Sequence, residues 1–527
     1  MGALTLKSFP FELRGWDIEK FESLDPTDSF GSNTRVYVNK DQIVLIEPDY
    51  NNNNFNTWLT DKGRQFFDGM FNSWSNLKKK QDNWIDILNS LSQAIYILDH
   101  CNRQQYTKKF FTIAFENLSL EVLNLLLILS QNYSFIKLRR TENFNVDNDL
   151  ESVFQLNVAS DKIKLNNSTL CILISSNPRY EGYYLNLNLR QRYLKGNFKC
   201  LNLGSMIDLT FPVTFLGSNV QILKDITEGN NLICQDLKLS KNPLIIYNNE
   251  LFKRNDGNNI LQMLKILNYS NNFNKNWNGL NLLSSSLSEN GVQLTSKFPV
   301  LSSKDLNDSS VLYFINISEN NTKNLKKITE LKLLNYVLTE NSNNLFLDQN
   351  YKINNNSEFT EKLNLNSYKH IPTSIFYENE ETFVNTEGFI KRTTKLISRK
   401  KTKNNWQILR KFLKHFKNNF KSLDNTNNEL IYFNSQKLSN FKNYTNFNYY
   451  AIQSLTNLNF YLAVKTSPVI FHQNFSDFKL ASKKFQNTKI KYWLDDFFIN
   501  GKDEYSQNSL ILSNCSKILR SESTNFF

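Results

Sequence analysis

Residues 169–190, TLCILISSNPRYEGYYLNLNLR, decide the fold that this sequence predicts. Leu170–Ile174 is a short, continuous apolar run, which is typical of a strand buried on both faces of a parallel sheet. Turn-forming residues and a proline interrupt this run at 175–178. In open α/β sheets, ligands bind at the loops beyond the carboxyl ends of strands, so this loop is a candidate binding site.

The segment after this loop fits two patterns. Tyr183, Tyr184 and Leu187 have a helical spacing, whereas Leu185, Leu187 and Leu189 alternate as in a strand. We predict strand, loop and helix in this order, within an α/β fold that has helices on both faces of a parallel sheet. Other apolar runs predict strands at residues 34–38, 42–46, 111–115, 135–138, 199–203, 242–247, 311–317 and 335–338, and helices at residues 84–98, 120–130, 221–226 and 260–267.

The letters of the loop point to a family. An apolar strand, then Ser-Asn-Pro-Arg-Tyr-Glu, then a segment that ends in Leu-Arg resembles the molybdopterin-dinucleotide-binding oxidoreductases, and among them the degenerate domain of the large iron–sulfur subunit of respiratory complex I. In active members this loop usually begins with glycine, which lets the backbone approach a phosphate. Two serines, Ser175 and Ser176, stand in this place here. The resemblance implies a vestigial loop, at Ser176, Asn177, Pro178 and Arg179, that binds no cofactor.

A second loop, within residues 382–394 (TFVNTEGFIKRTT), has the same resemblance. In pterin enzymes the corresponding Asn-x-Glu-Gly-Arg segment packs near the cofactor. Asn385, Glu387 and Gly388 remain here, but Phe389 replaces the arginine. Because a cation is missing where phosphates would lie, the resemblance implies that this loop is vestigial too.

The start of the chain follows the complex I subunit nearly in register, through Gly-Ala-Leu-Thr at 2–5, Phe-Glu-Leu-Arg at 11–14 and Glu-Ser-Leu-Asp at 22–25. In that family Gly-Ala-Leu-Thr directly follows the last cysteine of a 4Fe-4S cluster. Met1 stands at this join here. The resemblance implies a split subunit, whose cluster-bearing N-terminal half is a separate chain that ends near Met1.

The two strands predicted at 34–38 and 42–46 form a hairpin, because turn formers separate them, and Thr60 can cap a short helix. Some relatives place cysteines in this region for an additional cluster. Residues 1–100 contain no cysteine, so the sequence excludes that cluster.

The cysteines exclude the common metal centres. The five are scattered, and none forms a CxxC pair or a group with histidine, whereas zinc and iron–sulfur sites need clustered thiolates. Scattered thiols also suit a reducing compartment. The longest apolar run, at residues 120–129, is too short to span a bilayer.

The formal net charge of +13 raises the question of an anionic partner, such as nucleic acid or a membrane surface. Asparagine, lysine, phenylalanine and tyrosine are all abundant, which is typical of AT-rich organellar genes. This bias favours the interpretation that the lysines reflect coding rather than chemistry.

Residues 391–421 are the most basic stretch and contain no acidic residue. Six apolar residues fall on one face of a predicted helix, with lysines and arginines on the other; they are Trp406, Leu409, Phe412, Leu413, Phe416 and Phe420. Three interpretations stay open: an ordinary surface helix, a docking site for an acidic neighbouring subunit, or a site for RNA or anionic lipid.

Near the C-terminus, Asp495, Asp496 and Asp503 form an acidic group, for which we favour a helix-start or subunit-contact role over catalysis.

The resemblance implies three regions: a small β-rich subdomain at 1–71, similar to the 4Fe-4S domain of the molybdenum and tungsten oxidoreductases but without cysteines; a molybdopterin oxidoreductase-like α/β domain at 72–395; and a basic helical region at 396–527. It also implies a structural subunit with no catalytic site, in the peripheral arm of mitochondrial NADH:ubiquinone oxidoreductase, on the matrix side of the inner membrane. FMN and the iron–sulfur clusters, 2Fe-2S and 4Fe-4S, would belong to partner chains, among them the flavoprotein. The composition favours a gene in the mitochondrial genome.

Two alternatives remain at this level. A basic, RNA-associated organellar protein would explain the charge, but no RNA-binding motif is present. An active molybdopterin oxidoreductase would need a metal-binding side chain and glycine-rich phosphate loops, and the chain has only 15 glycines.

Overall fold

The computed structural model describes most of the α/β part of the chain. The described residues are 9, 13–49, 58–70, 110–141, 162–254, 256–269, 277, 279–284, 286–295, 298–316, 336–340, 368–371, 373–398, 402–419, 505–506 and 509–524. The predictions for Met1, the helix at 84–98, and Asp495, Asp496 and Asp503 therefore lie outside the described residues.

Strands and helices are numbered here in chain order. The strands are β1 Glu19–Leu24, β2 Asn33–Asn39, β3 Gln42–Pro48, β4 Phe110–Phe115, β5 Ile136–Arg140, β6 Leu170–Ile174, β7 Lys199–Leu203, β8 Thr214–Gly217, β9 Leu244–Asn248, β10 Leu280–Leu283, β11 Ser309–Ile315, β12 Tyr336–Glu340, β13 Tyr368–Ile371, β14 Thr382–Val384 and β15 Ile390–Arg392. The helices are α1 Asp61–Gln65, α2 Leu120–Asn132, α3 Lys162–Asn166, α4 Pro178–Glu181, α5 Tyr183–Leu194, α6 Val220–Glu228, α7 Ile233–Leu239, α8 Gly257–Tyr269, α9 Glu289–Thr295, α10 Ser303–Asp308, α11 Asn405–Asn419 and α12 Leu510–Thr524.

The first described sheet is the predicted hairpin with one added strand. β1, β2 and β3 pair in an antiparallel order, and Asn39 opposite Gln42 closes a two-residue turn. Lys40 in this turn has φ 54°, the left-handed conformation that such turns require. Thr60 caps α1 as predicted, since its hydroxyl accepts a 3.0 Å hydrogen bond from the Gly63 N–H.

The stretch at 169–190 forms the predicted strand, loop and helix. β6 lies in a five-stranded parallel sheet with the order β10-β9-β6-β7-β8. Leu170, Ile172 and Ile174 join the core on one face of this sheet, while Cys171 and Leu173 join the core on the other. Successive strand residues point to opposite faces, so burial on both faces requires the continuous apolar run.

β9 begins later than predicted. The predicted strand covered 242–247, but the structure has Leu244–Asn248. Asn242 has φ 50°, and Pro243 has no N–H to give to a sheet, so neither residue can extend the ladder. The sheet starts at the first residue that can pair.

A second five-stranded parallel sheet has the order β13-β12-β11-β4-β5. Helix α2 covers this sheet and is buried along most of its length, as its apolar sequence predicted. Ile408, Leu409 and Phe412 of α11 are fully buried in the same core. The apolar face of the basic helix is thus used inside the molecule.

The C-terminal helix packs on the small antiparallel sheet. Leu512 of α12 is buried with Phe66 and Tyr377, and Ile397 joins the same cluster. Residues from the region 396–527 therefore complete the cores of both neighbouring regions. The boundaries at 71 and 395 stay a prediction.

No helix among the described residues has the length and apolar character that crossing a membrane requires.

Gly69, which follows α1, lies against Tyr505 and Ser509, which come before α12. A Cβ at this position would lie 1.8 Å from the Tyr505 carbonyl oxygen and 2.8 Å from the Ser509 nitrogen. Gly69→Ala is therefore expected to displace the C-terminal helix and to lower the free energy of unfolding by about 1–3 kcal/mol. Urea denaturation and limited proteolysis near residue 505 measure both effects. Gly15→Ala, which meets no atom within 4 Å, is the control, and equal behaviour of the two variants would disprove the contact.

Candidate functional site

The order of strands defines where this fold offers a ligand site. β6 comes first in the chain, with β7 on one side and β9 on the other. The connections from β6 and β9 therefore leave in opposite directions, and in open α/β sheets ligands bind at such a point, beyond the carboxyl ends of the strands. The loop at 175–177 and the residues after β9 follow these carboxyl ends, and we refer to this place as the crevice.

Ser175 keeps a conformation that favours glycine. Its φ is 51°, in the left-handed region, where a side chain is strained. The Ser175 N–H donates a 2.9 Å hydrogen bond to the Leu203 carbonyl, and Gly204 approaches so closely that a Cβ would lie 3.4 Å from the Ser175 backbone. The backbone shape expected of a glycine loop is thus present without the glycine.

The four predicted loop residues have different surroundings. Ser176 and Asn177 are buried, and Pro178 is the first residue of α4. Arg179 lies at the surface, where its Nη1 is 2.7 Å from the Asp208 carboxylate. Because this ion pair is exposed, it contributes little to stability.

The carboxylate of Glu181 lies against the hydrogen-bond donors of this loop and of the end of β9. The Asn177 N–H donates a 2.9 Å hydrogen bond to Glu181 Oε2, and the Asn248 amide donates to Glu181 Oε1. The side chain is only 6% exposed. An internal carboxylate therefore takes the donors that could otherwise bind an external anion.

The second predicted loop is a turn between β14 and β15. Asn385 Oδ1 accepts hydrogen bonds from the N–H groups of Glu387 (3.1 Å) and Phe389 (2.8 Å). Gly388 has φ 84°, which suits glycine, and its N–H donates to the Asn385 carbonyl at 3.0 Å. The Asn385 side chain therefore organises the turn that contains Glu387 and Gly388.

A segment of the small β-rich region joins the two predicted loops. Ser29 Oγ donates a 2.8 Å hydrogen bond to the Glu181 carbonyl, and the Ser29 carbonyl accepts from the Thr386 N–H at 3.1 Å. The Phe30 carbonyl accepts from Asn385 Nδ2 at 3.1 Å. The structure thus brings both predicted loops together, with residues 29–30 between them.

Ionisable groups lie beside this junction. Burial, and then the neighbouring Asp25 carboxylate, raise the pKa of Asp28 to about 7, although Ser32 donates a 2.6 Å hydrogen bond to it. Burial also lowers the pKa of Lys391, against the opposing effects of Glu387 and Asp28. A deeply buried carboxyl with a raised pKa stays partly protonated at neutral pH.

Sequence reasoning missed Glu181, Ser29 and Asp28. The only local signal for Glu181 was an acidic residue in the first turn after Pro178, which is a common helix-start pattern. Ser29 had no local signal, since its contact with Glu181 joins segments 152 residues apart. The raised pKa of Asp28 comes first from burial, which only the packed fold produces.

Asn385→Ala tests whether this side chain holds the junction. The substitution removes two acceptor contacts and two donor contacts, to the Phe30 carbonyl and to Glu387 Oε2, at a side chain that is fully buried. We expect the free energy of unfolding to fall by about 2–3 kcal/mol, because buried partners are left unsatisfied. Chemical denaturation measures this change. Glu387→Ala, which removes only one of these four contacts at a partly exposed side chain, is the control and is expected to cost less than about 1 kcal/mol.

Comparison with known protein families gives two matches. A family described as "Molybdopterin oxidoreductase" matches residues 95–415, which is more than half of the chain. A family described as "NADH-ubiquinone oxidoreductase NDSU1/NuoG-like, 4Fe-4S domain" matches residues 18–68. The sequence has no cysteine in this second range, so it offers no thiolate for a cluster there.

The curated relatives are named as components of NADH:quinone oxidoreductases. The "NADH-ubiquinone oxidoreductase 75 kDa subunit" of Reclinomonas americana is 27% identical over 432 residues, which cover 78% of this chain and 59% of the relative. An NADH-quinone oxidoreductase subunit of Rickettsia bellii is 27% identical, over 54% of this chain and 42% of the relative. The mitochondrial "NADH dehydrogenase (ubiquinone) iron-sulfur protein 1" of Solanum tuberosum is 27% identical, over 54% and 38%. The chain thus spans about two to three fifths of the length of these relatives.

The residues at the crevice do not fit a molybdopterin dinucleotide. Its phosphates would meet the carboxylate of Glu181, and the turn after β14 offers Phe389 where a cation is wanted. Asn177 Oδ1 and the side chain of Asn249 are buried without a hydrogen-bond partner among the described residues. Within the described residues, no three acidic, histidine or cysteine side chains group as metal ligands.

Proposed function

Because this chain belongs to the molybdopterin oxidoreductase family, and its relatives are named as subunits of NADH:quinone oxidoreductases, we propose that it is a structural subunit of the peripheral arm of mitochondrial NADH:ubiquinone oxidoreductase. It braces the iron–sulfur chain of the enzyme while electrons pass from NADH to ubiquinone. It performs no redox chemistry of its own.

The observation that supports this proposal most directly is the internal carboxylate of Glu181. An active pterin enzyme keeps its phosphate-binding donors available for the cofactor. Here the Asn177 N–H and the Asn248 amide both bind Glu181, so the loop is closed by the chain itself. The loops at Ser176–Arg179 and at Asn385, Glu387 and Gly388 then have a structural role.

The junction of residues 29–30 with both loops supports a bracing role. Ser29 and Phe30, in the connection between β1 and β2, form hydrogen bonds with both vestigial loops: Ser29 Oγ donates to the Glu181 carbonyl, and the Ser29 and Phe30 carbonyls accept from Thr386 and Asn385. Electron transfer between clusters slows steeply with distance, so a rigid mounting for the cluster-bearing chain serves the reaction without a redox centre here.

The remaining parts of the proposal concern location and partners. FMN and the 2Fe-2S and 4Fe-4S clusters belong to other chains, including the flavoprotein and an iron–sulfur chain. The subunit lies on the matrix side of the inner mitochondrial membrane, and its gene lies in the mitochondrial genome. The split-subunit arrangement near Met1 stays a prediction.

The test starts from gently solubilised mitochondria. Native electrophoresis with in-gel NADH dehydrogenase staining, followed by mass spectrometry of the bands, shows where the chain migrates. Comigration with the active enzyme and its iron–sulfur subunits is the expected result. Migration with ribosomes, or as a separate protein with bound molybdenum or tungsten at about one atom per chain, would overturn the proposal in favour of an RNA-associated protein or an active pterin enzyme.

A further inference from the structure

Two buried carboxyl groups meet where the start of α2 packs on β14. Glu121, in the first turn of α2, is 4% exposed, and Glu381, which directly precedes β14, is 9% exposed. Thr382 joins these two segments: its N–H donates a 3.0 Å hydrogen bond to Glu121 Oε2, and its hydroxyl donates a 2.5 Å hydrogen bond to Glu121 Oε1. We call Glu121 and Glu381 the carboxyl pair.

The two members of the carboxyl pair have different partners. Glu121 accepts both hydrogen bonds from Thr382, and the positive charge of Arg392 also favours its ionised form. Burial and the Glu121 carboxylate disfavour the ionised form of Glu381, and among the described residues only the nearby Ser119 hydroxyl acts against them. Oε1 of Glu381 has no hydrogen-bond partner among these residues. We therefore assign the negative charge of the pair to Glu121 and the proton to Glu381.

The other charged groups near the pair do not neutralise a charge on Glu381. Arg392, on β15, forms an ion pair with Glu380 at the surface, with 3.1 Å between its Nη2 and the carboxylate. Glu289, on the helix α9 that packs on β14, is buried but does not contribute to the raised pKa of Glu381. Loss of the proton therefore leaves two like charges facing each other in a buried site, where their repulsion is stronger than in water.

The hairpin of β14 and β15 is the element beside the pair that can move. Among the described strands these two pair only with each other, and each has three residues. A two-stranded hairpin is marginally stable by itself, so its position depends on its contacts with the rest of the chain. Asn385 holds its turn to the Phe30 carbonyl, and Thr382 holds its start to α2. Helix α2 is itself buried in the core of the second parallel sheet.

We infer that the carboxyl pair is a proton-dependent latch, which holds the start of the β14–β15 hairpin against α2 while it keeps its proton and opens locally, with both parallel sheets still folded, when it loses that proton. The inference goes beyond the proposed function, because it concerns the chain by itself. Opening releases one proton, so the equilibrium constant for opening rises about tenfold per pH unit wherever only the closed state is protonated. For Glu381 this range extends from its ordinary pKa of 4.5 to the raised pKa of about 8.

The first experiment measures hydrogen–deuterium exchange of the purified full chain at half-unit steps from about pH 5.5 to 7.5, within the range in which only the closed state is protonated. Division of each rate by the chemical exchange rate at that pH gives the opening constant. Peptides that contain Thr382 or Thr393 are the reporters, because the Thr382 N–H donates to Glu121 and the Thr393 N–H donates to the Glu381 carbonyl.

The opening constant at these reporters is expected to rise about tenfold per pH unit and to exceed that of the β6 peptide at every pH, because the hairpin opens without global unfolding. An opening constant that does not change with pH would overturn the inference. So would exchange at the reporters that is no faster than in β6, since the hairpin would then open only when the whole chain unfolds.

The second experiment repeats this measurement on three variants. Glu381→Gln cannot lose a proton, so its opening constant is expected to be independent of pH, whereas the adjacent control Glu380→Gln keeps the tenfold rise. Thr382→Val removes only the hydroxyl donor to Glu121, and it is expected to raise the opening constant about tenfold at every pH without a change in the pH dependence.

A tenfold rise per pH unit that persists in Glu381→Gln would overturn the inference, as would an unchanged opening constant in Thr382→Val. All of these measurements use the separate chain. Their outcome is therefore independent of whether the chain comigrates with the enzyme, which tests the proposed function instead.

Discussion

Phe412→Ala is expected to lower the free energy of unfolding by about 3–5 kcal/mol, the range for a fully buried aromatic side chain that leaves a cavity. Phe412 of α11 is fully buried, and its ring meets that of Tyr313 edge to face, with the centroids 5.5 Å apart. Both the apolar surface and the aromatic contact are lost on truncation.

Urea denaturation followed by tryptophan fluorescence measures this effect, because Trp406 packs against the same core and reports its opening. Phe389→Ala is the matched control, since Phe389 is 60% exposed and its loss is expected to cost less than about 0.5 kcal/mol. If Phe412→Ala costs no more than Phe389→Ala, then α11 does not pack on the second sheet.

Stability is expected to fall as the pH rises from about 5 to 8, because of buried carboxyl groups. Burial, and then the neighbouring Glu121, raise the pKa of Glu381 to about 8. Burial and Asp25 raise the pKa of Asp28 to about 7. The unfolded chain releases these protons near pH 4, while the folded chain keeps them until the raised pKa is reached.

The folded state therefore binds more protons than the unfolded state between these limits. Each such group lowers the free energy of unfolding by about 1.4 kcal/mol per pH unit in this window, and the loss ends once the pH passes the folded pKa. For Glu381 the total is on the order of 4 kcal/mol. A neutral side chain of the same shape avoids this loss.

Glu381→Gln is the variant that isolates this effect. We expect it to change stability little at pH 5 and to raise the free energy of unfolding by about 4 kcal/mol, relative to the unaltered chain, at pH 8.5. Urea denaturation at half-unit pH steps gives the two curves. Glu380→Gln is the control, because Glu380 lies at the surface, where its carboxylate is 3.1 Å from Arg392 Nη2. Parallel curves for Glu381→Gln and the unaltered chain would show that Glu381 ionises as an exposed carboxyl does.

Periodicity in the sequence located nine of the fifteen described strands, and it did not predict β1, β8, β10, β13, β14 and β15. β6, β7, β4 and the hairpin of β2 and β3 form where apolar runs or alternation predicted them, because local patterns decide which faces of a strand can be buried. Strand ends were less certain, as the late start of β9 after Asn242 and Pro243 shows. The resemblance of the two loop sequences to those of the molybdopterin oxidoreductases located both vestigial loops.

The sequence did not predict which side chains of the protein occupy those two loops. Glu181 reads locally as a helix-start residue, and only the fold brings the Asn248 amide from β9 against it. Likewise Ser29 and Phe30 reach Glu181 and Asn385 only after two distant segments have packed together.

The sequence by itself thus determined the family, the amphipathic character of α11, and the nine strands that its apolar runs predicted. The tertiary structure alone decided that the inner face of α11 is buried in its own molecule, that a carboxylate occupies the first loop, and that Glu381 and Asp28 are enclosed with other acids. The physical reason is the range of the interactions. Backbone periodicity acts over a few neighbouring residues, whereas burial and pKa shifts depend on groups that are far apart in the chain and meet only in the folded core.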